Sequence, residues 1–333
     1  LCDGLVGKVM SKIAPDEVKP DVLMSLQLPN EWAQASDIPH IGMSAVVETD
    51  ICNPKWVEAV NKMTAVIVPS NHAKKALENS GMVLAPILVI PESYPENFQN
   101  QNSELNTFNF STKFNFLIVG QITGDNSETD RKNIFLTIKW ICEQFENNPD
   151  VGIILKTNCG SNTALDRERT QAVCTRLIKE CRKSEFPRLH LVHGDLSTEE
   201  MKSLYTHETV KAYVSLSRGE GFGLPTLEAA TLGVPVIATN WSGHLDYLNL
   251  GKFISINYTL EPVHQSKIDN NIFMQGSRWA KADEQDFKKK IKKFYESPAI
   301  PKSWAKELSA KLIETHSQEN IEKYYSEALR KFF

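Results

Sequence analysis

The stretch SLSRGEGFGLPTLEAATLGVPVIATNWSGH, residues 215–244, decides how this chain is read. A strand-like run, KAYVSLS (211–217), leads into Gly-Glu-Gly-Phe-Gly-Leu-Pro. A helix-like run (224–232) follows, and then a second strand-like run, PVIAT (235–239). Strand, glycine-rich turn and helix make one unit of an α/β sheet, whose ligands sit at the carboxyl ends of the strands. Glycines at 219, 221 and 223 let the backbone turn sharply and approach a ligand closely. Pro225 suits the first helical turn, where its missing N–H costs nothing. The free amides of 222–226 then form an anion site that the helix dipole favours. Glu220 and Glu228 flank it. Carboxylates beside an anion repel it unless they bind something else. An ionised carboxylate only accepts hydrogen bonds, so sugar hydroxyls are its natural partners. The turn reads as a site for a sugar plus a phosphate. Dinucleotide and P-loop patterns fail here: GxGxxG needs glycine where Leu224 or Thr226 stands, and no Gly-Lys-Ser/Thr ending follows.

Working outward, apolar runs alternate with helical patterns almost throughout. The first series is DVLMSLQLP (21–29), IPHIGMSAVV (38–47), MTAVIVPS (63–70) and PILVIP (86–91). An Asn-, Gln- and Ser-rich stretch without periodicity, 94–113, has the composition of a linker. The second series is FNFLIVGQ (114–121), VGIILKTN (151–158), LHLVHGD (189–195), KAYVSLS, PVIAT and KFISIN (252–257). Continuous apolar strands with helical crossovers predict parallel sheets covered on both faces. The chain divides into a first domain over 1–105, a nucleotide-sugar domain over 106–300 and helices over 301–333 that cross back to the first domain. No glycine-rich loop follows a first strand, so the first domain is expected to be reduced or to lack its opening strand.

The 333 residues suffice for about two domains. Net charge is −4, which argues against a surface that is basic throughout. No apolar run reaches the ~18 residues that span a bilayer, and LCDGLVGKVM does not read as a signal peptide. The six cysteines form no CxxC pair, which favours reduced thiols, a cytoplasmic location and no metal site. The lysine run 288–293 and Arg182-Lys183 read as solvated helix faces.

EGFGLPTLEAATLGVPVIAT resembles the donor-site signature of retaining glycosyltransferases of the GT-B fold, the large group numbered family 4. In that pattern seven residues separate two glutamates, as they separate Glu220 and Glu228. The resemblance covers about 114–256. It implies an α/β GT-B fold: two doubly wound Rossmann-like domains facing a cleft. It implies transfer of a sugar from a nucleotide diphospho-sugar, UDP-glucose by default, to an acceptor hydroxyl, with no further cofactor. Glu220 would contact the transferred sugar and Glu228 the ribose. The backbone of Gly221, Phe222, Gly223, Leu224, Pro225 and Thr226 would contact the sugar and the distal phosphate.

The loop after FNFLIVGQ leads to Arg131 and Lys132, where fixed cations would stabilise a departing diphosphate. The family carries an Arg-Lys pair at this place, so with Glu220 these are the expected catalytic residues. Many members have an arginine after the strand-ending glycine. Here Gln121 follows Gly120, which puts one phosphate contact in doubt. Gly194, Asp195 and Leu196 stand where the family seats the base. His193 and His244 read as structural residues. On the acceptor or sugar side, Glu48, Thr49 and Asp50 follow one strand, and Ser242 and Gly243 follow another. A histidine that many members carry near this first strand is replaced by Ala45.

The form ETD…W…N…VPSNHAKKAL is similar to transferases of large viruses of bacteria, which makes a hydroxymethylated pyrimidine in DNA an alternative acceptor. A sugar-nucleotide epimerase and a non-catalytic sugar-nucleotide binder are further alternatives. A phosphorylase would need a pyridoxal lysine, for which no motif stands out.

Overall fold

The computed structural model describes residues 7, 10–13, 20–32, 37–99, 108–124 and 126–332. Part of the linker, 100–107, lies outside the described residues. The first half carries strands β1 (Leu23–Leu26), β2 (His40–Met43), β3 (Ala65–Val68) and β4 (Ile87–Val89), with helices α1 (Pro54–Val60) and α2 (Asn71–Glu78) between the later strands. The strands are parallel and lie in sequence order, with no reversal among the described residues. Alternation along β3 splits its core. Val66 and Val68 join Trp56, Val57 and Leu77 of α1 and α2. Ala65 and Ile67 face the other way.

The second half runs β5 (Phe114–Val119), α3 (Ile134–Gln144), β6 (Val151–Thr157), α4 (Ala164–Cys181), β7 (Arg188–His193), α5 (Thr198–Tyr205), β8 (Val210–Ser215), α6 (Leu224–Thr231), β9 (Val236–Thr239), α7 (Leu245–Leu248) and β10 (Ile254–Ile256). Its six strands are ordered β10-β9-β8-β5-β6-β7. The order reverses between β5 and β8, and a crevice opens at the carboxyl end of such a switch point. The loop after β5 carries Arg131 and Lys132, and the loop after β8 carries Glu220. Topology alone therefore brings these residues to one place.

Two features depart from the sequence reading. The run 252–257 holds only the short β10, which stops at Ile256, and β11 (Tyr258–Pro262) then turns away to pair antiparallel with β12 (Arg278–Ala282). Nothing in the sequence reading foresaw this hairpin. Arg278 and Lys281 alternate with buried Trp279 and Ala282, a pattern interrupted by buried Ala280.

Helices α8 (Glu284–Glu296), α9 (Ala299–Thr315) and α10 (Gln318–Leu329) close the chain. Leu308 and Leu312 of α9 join the core of the second half. Ile321, Tyr325, Ala328 and Leu329 of α10 pack instead on Ile41, Ala65, Ile67 and Ile90 of the first sheet. Strands laid down in one direction place both crossover helices on one face. The final helix covers the other.

Candidate active site

Two loops meet at the switch point. Arg218 N donates to Arg131 O (2.9 Å), and Arg131 Nη1 donates to Gly219 O (3.4 Å). The turn before α3 is fixed by Asp130, whose carboxylate accepts from the amides of Lys132, Ile134 and Phe135. Arg131 and Lys132 thus precede the helix, which Asn133 leads into. Asn133 takes a left-handed φ of 55°, a strained state that asparagine tolerates better than most residues.

Glu220 is buried, and Lys132 Nζ lies 2.7 Å from both of its carboxylate oxygens. Burial alone would push this carboxyl up. The charges of Lys132 and then Arg131 outweigh burial and hold it at about 2. The Glu220 backbone is clamped from the loop after β9: its amide donates to Ser242 Oγ, and its carbonyl accepts from Gly243 N, both at 2.9 Å. Ser242 sits at φ 87°, and a Cβ on Gly243 would stand 2.1 Å from Gly221 O, so neither position is conformationally free.

Helix α6 begins on Gly223 at φ 94°. Among the described residues, the amides of Phe222, Gly223 and Leu224 donate to no acceptor in the chain. Phe222 is buried against Tyr247 with ring centroids 5.1 Å apart. Thr226 is buried and donates to Tyr213. Pro225 O accepts from Tyr205, whose hydroxyl also reaches Glu228 at 2.9 Å. Burial raises the Glu228 carboxyl, while Tyr205 and Lys156 oppose the rise. Lys156 and Tyr205 were missed by the sequence reading. The one available signal was the position of Lys156, next to the last residue of β6, where a strand delivers its side chains to the crevice.

Gly120 follows β5, and a Cβ there would stand 3.6 Å from Lys132 Cγ, so the lysine stem crosses it. Gln121 is exposed. After β7, Gly194 has φ 88° with Asn162 beside it, Asp195 is exposed, and Leu196 packs on the core. His193 meets Asp166 at 2.9 Å. His244 is fully buried with Nε2 2.7 Å from Thr239 O, in a structural role.

The first half closes directly onto this corner. A Cβ on Gly219 would stand 1.9 Å from Glu48 O, and one on Gly221 would stand 2.9 Å from Ala45 O. These glycines therefore admit the backbone of the opposite half, not only a ligand. Glu48 pairs with Arg131 at 2.9 Å. Asp50 pairs with Arg278 at 2.7 Å and also accepts its amide. Thr49 is buried and gives its hydroxyl proton to Ile51 O. Ser70 caps α2 and donates to Gly221 O at 2.5 Å, and Asn71 N donates to Asp246 at 2.7 Å. Glu48 and Asp50 thus act here as ties between the halves. Thr49 is turned back on its own loop.

The lysine run on α8 is partly neutralised: Lys288 pairs with Glu143 and Glu284, and Lys290 with Asp286. No described helix is long and apolar enough to cross a membrane, and among the described residues no three His, Cys, Asp or Glu side chains are grouped to hold a metal ion.

Residues 171–319 match the family model described as glycosyl transferases group 1. The fold is that of GT-B glycosyltransferases. A glycosyltransferase from Rickettsia africae superposes with a TM-score of 0.66 at 15% identity, over 98% of this chain and 79% of that one. Sucrose-phosphate synthase from Thermosynechococcus elongatus gives 0.62 at 16% identity, over 94% and 74%. Anabaena HepE, solved in complex with UDP and glucose, gives 0.58 at 14% identity, over 88% and 72%. Comparison with curated protein sequences returns no match. Residues 171–319 are thus similar to a group 1 glycosyl transferase domain, set within a GT-B fold.

Proposed function

We propose that the protein transfers a sugar from a nucleotide diphospho-sugar to an acceptor hydroxyl, with the anomeric configuration kept. The observation that carries this reading is the Lys132–Glu220 pair beside the unpartnered amides of Phe222, Gly223 and Leu224. One corner so offers donors for a diphosphate and an ionised acceptor for sugar hydroxyls. The similar structure that contains UDP and glucose supports a uridine diphospho-sugar.

In this reading the diphosphate lies against the amides at the start of α6, with Arg131 and Lys132 at its oxygens. As the bond to the sugar breaks, negative charge grows on the leaving oxygen. Cations fixed in advance stabilise that charge without reorganising. Glu220 accepts hydrogen bonds from the sugar hydroxyls, and Glu228 with Lys156 faces the nucleoside. The acceptor hydroxyl attacks on the face the diphosphate leaves, and its proton passes to the departing oxygen. The protein acts mainly through position and charge.

The test is a thermal-shift series with UDP-glucose, UDP-N-acetylglucosamine and GDP-mannose, followed by product analysis with simple glycosides. A ligand at about 100 Kd stabilises by about 2.7 kcal/mol, so binding at the native fold is readily seen. Glu220→Gln and Lys132→Met are expected to abolish transfer. Full transfer by either variant would remove the assignment.

A further inference from the structure

The second sheet ends on β7, which pairs with β6 on one side only. Gly194 N donates to Thr157 O of β6, and the parallel register runs from Gly152↔Arg188 to Thr157↔His193. Backbone groups alternate in direction along a strand. The amides and carbonyls of Leu189, Leu191 and His193 therefore point away from β6, along the open edge. Between this edge and the flank of α4 runs a groove of about 490 Å³, with Ile178, Leu189 and Leu191 in its wall.

The charged residues of that wall are Arg167, Lys179 and Arg182, all cations. Arg182 gives Nη1 to Pro187 O at 3.1 Å, while its buried Nε finds no acceptor among the described residues. Arg167 and Arg182 lie about 22 Å apart along α4 at 1.5 Å per residue. The six residues of β7 span about 20 Å. The groove matches one extended segment in length. It offers edge amides and carbonyls for a backbone, an apolar wall for alternate side chains, and cations for carboxylates.

We propose that this edge binds an extended acidic segment of a partner protein, which adds to the sheet as a seventh strand. Carboxylates meet the guanidinium groups in charge-assisted pairs, and the backbone bonds to Leu189, Leu191 and His193. Cations on an exposed edge also deter pairing between copies of a chain. That role predicts no acidic ligand, and the test separates the two.

The probe is a fluorescein-labelled hexapeptide of alternating Glu and Val, acetylated and amidated, titrated against the full chain by anisotropy. Comparators are an alternating Lys-Val peptide and the Glu-Val peptide N-methylated at every second backbone nitrogen, in both phases. The expected result is saturable binding of the Glu-Val peptide and none of the Lys-Val peptide. One N-methylated phase should bind at least about tenfold more weakly, because it loses ladder bonds but no charge. Lys179→Glu with Arg182→Glu should weaken binding by about tenfold or more. Leu191→Pro, which removes an amide that takes no part in pairing with β6, should do the same. Melting curves confirm that each variant is folded. Absence of Glu-Val binding overturns the proposal. Equal binding of all N-methylated forms overturns it too, since charge alone then suffices. Binding to phosphatidylserine vesicles that the same charge reversal abolishes, without peptide binding, assigns the groove to a membrane surface instead.

Discussion

Lys132 Nζ lies equidistant, at 2.7 Å, from the two carboxylate oxygens of Glu220, inside a site that water hardly reaches. The carboxyl is held at about 2, below its ordinary 4.5. A group depressed on folding contributes stability above its unfolded value, and that contribution is lost as pH falls towards the folded one. Here the window runs from 4.5 down to about 2, and the contribution is on the order of 3 kcal/mol. Lys132→Met removes the cation and leaves a buried carboxylate. The expected cost at pH ~7 is about 3–5 kcal/mol, shrinking below pH ~4 as the carboxyl protonates. Denaturant titrations of both proteins at several pH values measure this. A pH-independent difference would contradict it.

A second acid response comes from His72 and His316, each lowered by burial from 6.5 to about 4. A depressed histidine binds its proton later in the folded state. Stability is therefore complete above 6.5 and is lost as pH falls towards about 4, by up to about 3 kcal/mol for each residue. His72 also meets Trp241 edge-on at 4.7 Å. His72→Phe keeps an aromatic ring there and removes the titration. The drop in stability between pH 7 and 4 should be smaller in this variant.

Glu48 occupies Arg131, the cation to which the proposed diphosphate also lays claim. Removing the competing charge while keeping the shape should favour the anion. For Glu48→Gln we expect UDP affinity to rise by about threefold to tenfold, with a modest fall in melting temperature, since the pair is largely buried and glutamine can still accept from Arg131. Isothermal titration calorimetry decides. Weaker binding would mean that Glu48 helps to hold the ligand.

Gly219 touches the opposite half so closely that one methyl group cannot fit: the new carbon would stand 1.9 Å from Glu48 O. Gly219→Ala should hold the halves apart while leaving both sheets intact. Small-angle scattering should show a larger radius of gyration, and transfer should fall by at least about a hundredfold, as small displacements of a positioned group can cause. An unchanged radius with full transfer would show that the contact is dispensable.

Much of this was legible from sequence because it is periodic or local. The ten strands read as apolar runs all occur, displaced by up to four residues at their ends. The start of α5 is local in the same way, since Ser197 and Glu200 form a capping box before it. The switch-point loops stood out because glycine spacing and paired acids are themselves sequence patterns, and Arg131, Lys132 and Glu220 do lie together there. What stayed hidden depends on distant partners. Arg218 stacks over Trp279 at 5.2 Å across sixty residues of chain, and no local pattern announces such a pair. The β11–β12 hairpin was missed because its strands are short and the intervening loop is long. The ion pairs of Glu48 and Asp50 stayed hidden too, since their partners, Arg131 and Arg278, belong to the other half.

The last helix carries a consequence for how the chain is made. Ile41 and Ile67 leave the ribosome well before Ile321, the residue that covers them. The half synthesised first must therefore wait, with one flank bare, until α10 has been made. Removing α10 would damage the first half of the fold rather than the second.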